Sequence, residues 1–531
     1  MVGIKYMNET EKQMESNTNW AVVDDIITQI TSKLHDKCLS FLGEDEEGNC
    51  VIIDPIDDKV IGAHYAMTHI AAALIISGRK TNRLNDIEKG IKLIKGVLKR
   101  WEMDTKASDF HYDFNNFALC LIYDELEKDE QYIDLCQEIR ETIMSTGDSR
   151  HFTINWLPMR MFVNYHRYLW TNNKQYEKTI CDLYTIIKKA TNQDGFVEDL
   201  LPKGKSFNLQ YNVATVAVLQ FLNDKGAEYS INDNIIALVN ACDPAGDINY
   251  LGRGCNQIFA WGLWIYLLKS QGIKEQCLLS VNYLAEWIDD AIANNNLLLN
   301  QYPGEQKMLW WDYHYSSVYL GHLYLWLVLA ENLKDRNSKI MPCEGSYGTD
   351  SGVRIIRKKE YFVCLFEGRK QYLAEYGPIV ANLWLKEPGY LMKGTFGPWM
   401  GQFGKKYSNF LSFFNYFGPI QIGGYGEIKF HRFGFQLKSY ESGAFKIPKV
   451  QVSVNESDNK LIICFVMRKS QKTMFNIPLC NQDLEKNLII KADDNMVHFR
   501  QVGDVLNQYG RVAIYQTGIV CAKAWSVEIA L

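Results

Sequence analysis

KQYEKTICDLYTIIKKATNQDGFVEDLLPKGKSFNLQYNVATVAVLQFL, residues 174–222, holds two helical patterns of opposite kind joined by a polar turn. In residues 174–190 apolar side chains recur at three- and four-residue spacing and leave a charged face, as in a helix with one side in water. In residues 210–222 the apolar side chains run nearly all round, which suits a helix buried on every side. An outer helix followed by an inner one is the expectation.

The alternation extends in both directions. Twelve helices are predicted, near 19–41, 58–79, 84–102, 113–128, 130–146, 155–171, 173–191, 208–223, 232–242, 254–272, 274–294 and 312–333. Odd members such as NDIEKGIKLIKGVLKRW have one apolar face, whereas even members such as FALCLIYDEL and NQIFAWGLWIYLL are apolar throughout. From the fourth helix on, the even members begin at 113, 155, 208, 254 and 312, a loose repeat of helical hairpins. Six hairpins with a buried inner ring predict an (α/α)6 toroid. After AENLKDRNSK the hydrophobic period drops to two, in runs such as KLIICFVMR and RVAIYQTGIVCAKAWSVEIAL, which predicts an antiparallel β-sandwich. The fold class is therefore α+β multidomain, divided into an N-terminal extension 1–18, a toroid 19–338 and a β domain 339–531.

Composition narrows the function. The chain of 531 residues is too long for one ordinary core, and its 47% hydrophobic and 22% charged residues are those of a soluble globular protein. A net charge of −5 argues against a nucleic-acid partner, which calls for a basic patch. The 13 cysteines form no CxxC pair and their number is odd, which suits a reducing compartment. No secretory h-region opens the chain, and AMTHIAAALIIS, which contains His69, is too short to span a bilayer. Cytoplasmic is the default expectation, or secreted or periplasmic if a leader has been removed. No His, Cys or carboxylate cluster has metal-ligand spacing and GGYG at 423–426 precedes no helix, so neither metal nor cofactor is expected.

The starts of the six even helices share a character. They read GAHYAMTH (62–69), HYDFNNFA (111–118), TINWLPMR (153–160), NLQYNVAT (208–215), GRGCNQIFAWG (252–262) and WWDYHYSSVY (310–319). Each mixes aromatics with Asn, His, Gln or Arg. In a toroid the inner helices run the same way, so these starts gather at one end. Stacking faces and hydrogen-bonding groups at the mouth of an apolar barrel suit a sugar. One such start alone is a capping cluster; six in one set point to a site.

A helical toroid followed by an antiparallel β domain resembles the polysaccharide lyases of the heparinase II/III and alginate-lyase type. There an inner-helix Asn precedes an Asp-Gly segment with a Glu, then a Ser and Tyr-His. This chain offers Asn155 and Trp156, then DGFVED with Ser206 and Tyr211-Asn212. Trp156 and Asn212 stand where the family has histidines, and the interval from Glu to Ser is longer. NW followed by GRGCNQIFAWG also looks like bacterial toroid proteins thought to act on uronate sugars. The resemblance implies a lyase cleaving a uronate-containing polysaccharide or oligosaccharide by β-elimination, with Tyr211 as acid–base and Asn155 neutralising the carboxylate. It also implies that a β-domain histidine completes the site, and His431 and His498 are available.

The chemistry fits these residue types. A free tyrosine has a pKa near ~10, so cations must tune it, and Arg253, Arg160 and His314 are the candidates. Arg253, between two glycines, could clamp a carboxylate. Tyr211, Asn155, His314 and Arg253 form the expected catalytic set. Trp156, Arg160, Gln210, Asn212, Tyr250, Asn256, Gln257, Trp310, Asp312, Tyr313 and Tyr315 are the expected substrate-binding set. The partner is an anionic polysaccharide or oligosaccharide; the sequence leaves the oligomeric state open. Two alternatives stand beside the lyase. One is a glycoside hydrolase using Asp199 or Glu198 with Asp312; the other is a glycan-binding or assembly protein without catalysis.

Overall fold

The computed structural model describes residues 20–53, 60, 65–103, 111–148, 153–201, 204–251, 257–293, 316–367, 370–371, 374–375, 378–393, 411–415, 418–421, 428–431, 434–437, 450–457, 459–480, 487–507 and 510–531. Twelve α-helices lie among them: α1 Trp20–Leu39, α2 Ala66–Thr81, α3 Leu84–Met103, α4 Tyr112–Leu126, α5 Ile133–Ser145, α6 Leu157–Thr171, α7 Lys174–Ala190, α8 Leu209–Asp224, α9 Asn232–Ala241, α10 Phe259–Gln271, α11 Lys274–Ala293 and α12 Ser316–Glu331.

The even helices form a closed ring. Each packs on the next in the order α2, α4, α6, α8, α10, α12, and α12 returns to α2. The odd helices cover them from outside, α3 on α2, α5 on α4, α7 on α6, α9 on α8 and α11 on α10, while α1 lies on α12 and α11. The burial of the opening pair matches its sequence. In α7 only Leu183, Ile187 and Ala190 are buried, whereas in α8 every residue from Leu209 to Leu222 is. Inner helices also approach closely where side chains shrink: a Cβ on Gly262 of α10 would press on Leu323 and Trp326 of α12.

Aromatics fill the barrel's centre. Phe117, Phe162 and Phe221 meet at centroid separations of 5.3–5.5 Å, and Trp326 stacks on Phe117 at 5.8 Å. Edge-to-face and offset contacts of this kind add to area burial. This layer closes the barrel as a packed core.

Two short antiparallel hairpins interrupt the helical region, Leu42–Glu44 with Cys50–Ile52 and Asp199–Leu201 with Gly204–Ser206. From Gly345 onward the described elements are strands, all paired antiparallel. One five-stranded sheet runs in the order Gly389–Lys393, Pro378–Leu385, Tyr361–Glu367, Val353–Arg357, Gly345–Gly348. A larger sheet is built around the twenty-residue strand Lys460–Leu479, and its strand Val450–Ser457 touches the first sheet.

The first sheet is fastened to the toroid by buried polar groups. Glu198 is fully buried and accepts hydrogen bonds from the Asp350 amide at 2.9 Å, Ser351 Oγ at 3.0 Å and Asn192 Nδ2 at 3.1 Å. Lys393 reaches into the turn after α9, 3.1 Å from Asp247 Oδ2 and 3.1 Å from the Tyr283 hydroxyl. Asp243 there accepts from Asn382 and Tyr390 at 2.8 and 2.7 Å. Burial opposes the charge of Lys393, but Tyr283, Asp247 and Asp243 together hold its pKa above the ordinary lysine value.

Candidate functional site at the inner-helix mouth

The first turns of the inner helices meet at one end of the barrel. Tyr65, just before α2, stacks on Phe114 of α4 at 4.5 Å. Phe114 meets Trp156 edge-on at 5.5 Å and Phe259 of α10 at 6.2 Å. Phe259 lies flat against His322 of α12 at 4.2 Å and tilts toward Tyr319 at 5.4 Å. Five inner helices thus contribute to one aromatic layer above the central plug. His111, the residue before α4, faces Tyr65 and Trp156 and holds a left-handed backbone at φ 44°. A non-glycine residue in that region is uncommon, and such strain collects at functional sites.

The sixth inner helix brings Tyr211. Asn208 caps α8 by accepting from the Tyr211 amide at 3.3 Å, so this polar residue of the opening stretch is a helix cap. Asn212 is also spoken for: its Nδ2 donates to the Val197 carbonyl at 2.6 Å and its Oδ1 accepts from the Val197 amide at 2.9 Å. Two residues on, Asp199 Oδ1 accepts from the Ile154 amide at 3.0 Å. The segment 197–199 therefore ties the start of α8 to the 3₁₀ turn Ile154–Trp156, which itself packs on α8. Asn155 and Tyr211 are brought to one corner by this bracket, at 2% and 9% exposure. Asn155 Oδ1 accepts from the Thr153 hydroxyl.

Asp199 stands out electrostatically. It is buried, its Oδ2 has no hydrogen-bond partner, and burial pushes its pKa up to about 7 against the pull of the Ile154 amide. A carboxyl so placed can hold a proton near neutral pH.

Other expected residues have different surroundings. Arg160 forks onto Asp113, Nε to Oδ1 at 3.0 Å and Nη2 to Oδ2 at 2.9 Å, with both groups buried. The charge of Arg160, expected to tune a tyrosine, is thus engaged by a carboxylate of α4. Tyr250 is fully buried, donates to the Ala241 carbonyl at 2.8 Å and meets Phe362 edge-on, which places it in the seam with the first sheet. Gln210 and Gln257 face each other at 3.4 Å, both buried. Glu198, a hydrolase candidate, is committed to the sheet. Arg253, Asn256, Trp310, Asp312, Tyr313, His314 and Tyr315 lie outside the described residues. His498 is exposed, and His431 lies in the hairpin strand Ile428–His431.

Sequence reasoning missed Tyr65, His69, His111, Phe114, Phe259 and His322 as members of the layer. All but His322 lie inside the helix starts quoted above, which were read as a site without these residues being singled out. Among the described residues no group of three or more His, Cys, Asp or Glu could hold a metal, and no helix is long and apolar enough to cross a membrane. The twelve cysteines among them are unpaired.

No family model matches the chain, and no curated protein matches it. Solved structures do resemble it. The heparan sulfate lyase of Pedobacter heparinus is 10% identical and aligns with a TM-score of 0.45 over 94% of this chain and 83% of its own. An α-1,6-mannanase from Salegentibacter sp. HEL1_6 is 10% identical, with a TM-score of 0.39 over 57% of this chain and 98% of its own. A family 88 glycosyl hydrolase from Bacteroides vulgatus is 13% identical, with a TM-score of 0.40 over 58% and 99%. The lyase spans the helical and β parts alike; the hydrolases align with little more than half of the chain. At these values the likeness does not select a chemistry.

Proposed function

We propose that the protein is a carbohydrate-active enzyme working at the inner-helix mouth, and that it cleaves a uronate-containing glycan by β-elimination. The observation that carries this reading is the aromatic layer assembled from five inner helices beside the corner of Asn155 and Tyr211. Aromatic faces stack on the apolar faces of sugar rings, and the polar groups around them fix orientation. In this reaction the Asn155 amide donates to the substrate carboxylate and makes the C5 proton acidic. Tyr211, as tyrosinate, takes that proton, the C4–oxygen bond breaks, a C4=C5 double bond forms, and the tyrosine returns the proton to the leaving oxygen. Arg253 and His314 are proposed as the cations that lower the tyrosine's pKa.

One observation favours a second reading, hydrolysis with Asp199 as general acid: its buried carboxyl has an unpartnered oxygen and a pKa raised to about 7. Incubation with alginate, polygalacturonate, hyaluronan, heparan sulfate and α-1,6-mannan separates the two. Elimination yields unsaturated uronate, detected by ultraviolet absorbance. New reducing ends without that absorbance would replace the lyase reading with hydrolysis, and neither signal would remove catalysis.

A further inference from the structure

Two histidines of the aromatic layer are built into the barrel without hydrogen bonds. His69 in the first turn of α2 and His322 in the second turn of α12 are fully buried, with ring centroids 5.0 Å apart. None of their four ring nitrogens has a hydrogen-bond partner. Aromatic rings surround them: Tyr65 lies 4.8 Å from His69, Phe259 is flat on His322, and Trp326 lies 6.2 Å from His322. Buried polar groups are nearly always satisfied, and leaving them unsatisfied lowers stability. The next layer down is filled by Phe117, Phe162, Phe221 and Trp326, so a barrel that needed only filling has side chains for the purpose. Two imidazoles in that setting point to a tenant that hydrogen-bonds.

The surroundings restrict what the tenant is. A metal ion would sit among apolar rings, with no group of three or more metal-ligating side chains among the described residues to offset its charge. An anion would need imidazolium, yet burial holds His69 down to about 3, and burial together with His69 holds His322 well below its ordinary value. An apolar group would leave every nitrogen unsatisfied. A neutral imidazole offers one donor and one acceptor, and a hydroxyl answers both.

We infer that His69 and His322 hydrogen-bond the hydroxyls of a sugar ring lodged at the aromatic layer. This rests on the reading of the protein as a glycan-acting enzyme and adds the residues that grip the ring.

The test replaces both imidazoles by phenyl, which keeps the packing and removes the nitrogens. Full-length His69→Phe/His322→Phe is compared with wild type for thermal midpoint and for calorimetric affinity toward oligosaccharides of alginate, polygalacturonate, hyaluronan, heparan sulfate and α-1,6-mannan. The expected result is an unchanged or raised midpoint and at least tenfold weaker binding of whichever glycan the wild type binds. His322→Gln, which retains a donor and an acceptor, should bind more tightly than His322→Phe, and the single variant His322→Phe serves as the test if the double variant does not fold. Affinity within twofold of wild type in the phenylalanine variants would overturn the inference and leave the glycan reading standing. A lowered midpoint with intact affinity would assign the pair to buried water only. A wild type that binds none of these glycans would overturn both readings.

Discussion

Gly195 has φ 87°, and a Cβ there would run into the Asp233 carbonyl. Its own carbonyl accepts from Asn234 Nδ2 at 2.7 Å. The Asp-Gly of DGFVED is thus a backbone requirement that brings the 197–199 bracket into place. Gly195→Ala should cost about 1–3 kcal/mol, read as a lower urea midpoint with unchanged slope. At Asp199 the expectation concerns pH. Its folded pKa, raised from 3.8 to about 7, means the native state keeps a proton that the unfolded chain has released, so stability falls as pH rises through that window. Asp199→Asn removes the slope: its stability relative to wild type should grow by roughly 4 kcal/mol between pH 4 and 7.5, at ~1.4 kcal/mol per unit. A pH-independent difference in urea unfolding would contradict the burial of the carboxyl. Some of this scale was legible in the sequence. Asn208 carries its capping tendency in its residue type. That Arg160 already has Asp113 was not legible, because the pair is formed across two helices 47 residues apart in the chain.

Among the elements, the twelve helices were readable because each keeps one hydrophobic period for ten residues or more. The hairpins at 42–52 and 199–206 were not. Their strands are three residues long, too short for any period, and the second pair sits in the stretch read as a polar turn. The seam between toroid and sheet was invisible for another reason: Lys393, Asp243 and Asp247 are charged residues that sequence patterning assigns to solvent. In the fold Lys393 is 6% exposed and both aspartates 0%. Lys393→Met would leave two buried carboxyls facing an apolar chain. Breaking a buried pair from one side costs about 3–5 kcal/mol. The variant should therefore show a lowered urea midpoint, and a midpoint within error of wild type would mean that the seam does not depend on this lysine.

Across the whole molecule, ring closure joins the ends of the helical region. α1 lies on α12, Trp20 Nε1 donates to the Arg336 carbonyl at 2.8 Å, and Lys269 of α10 meets Asp24 of α1 at 2.5 Å. Hairpin spacing alone gives a repeat; the contact of α12 with α2 makes it a ring. Closure gathers Tyr65, Phe114, Trp156, Phe259 and His322 into one layer, which no local stretch reveals. The central claim is that catalysis belongs to this mouth and passes through Tyr211. Once a cleaved glycan is in hand, the turnover of Tyr211→Phe tests it most directly, because the ring and its packing stay while the hydroxyl goes. The account predicts a folded protein with a wild-type thermal midpoint and a turnover lower by roughly 10²–10⁴-fold. Turnover close to wild type would contradict it.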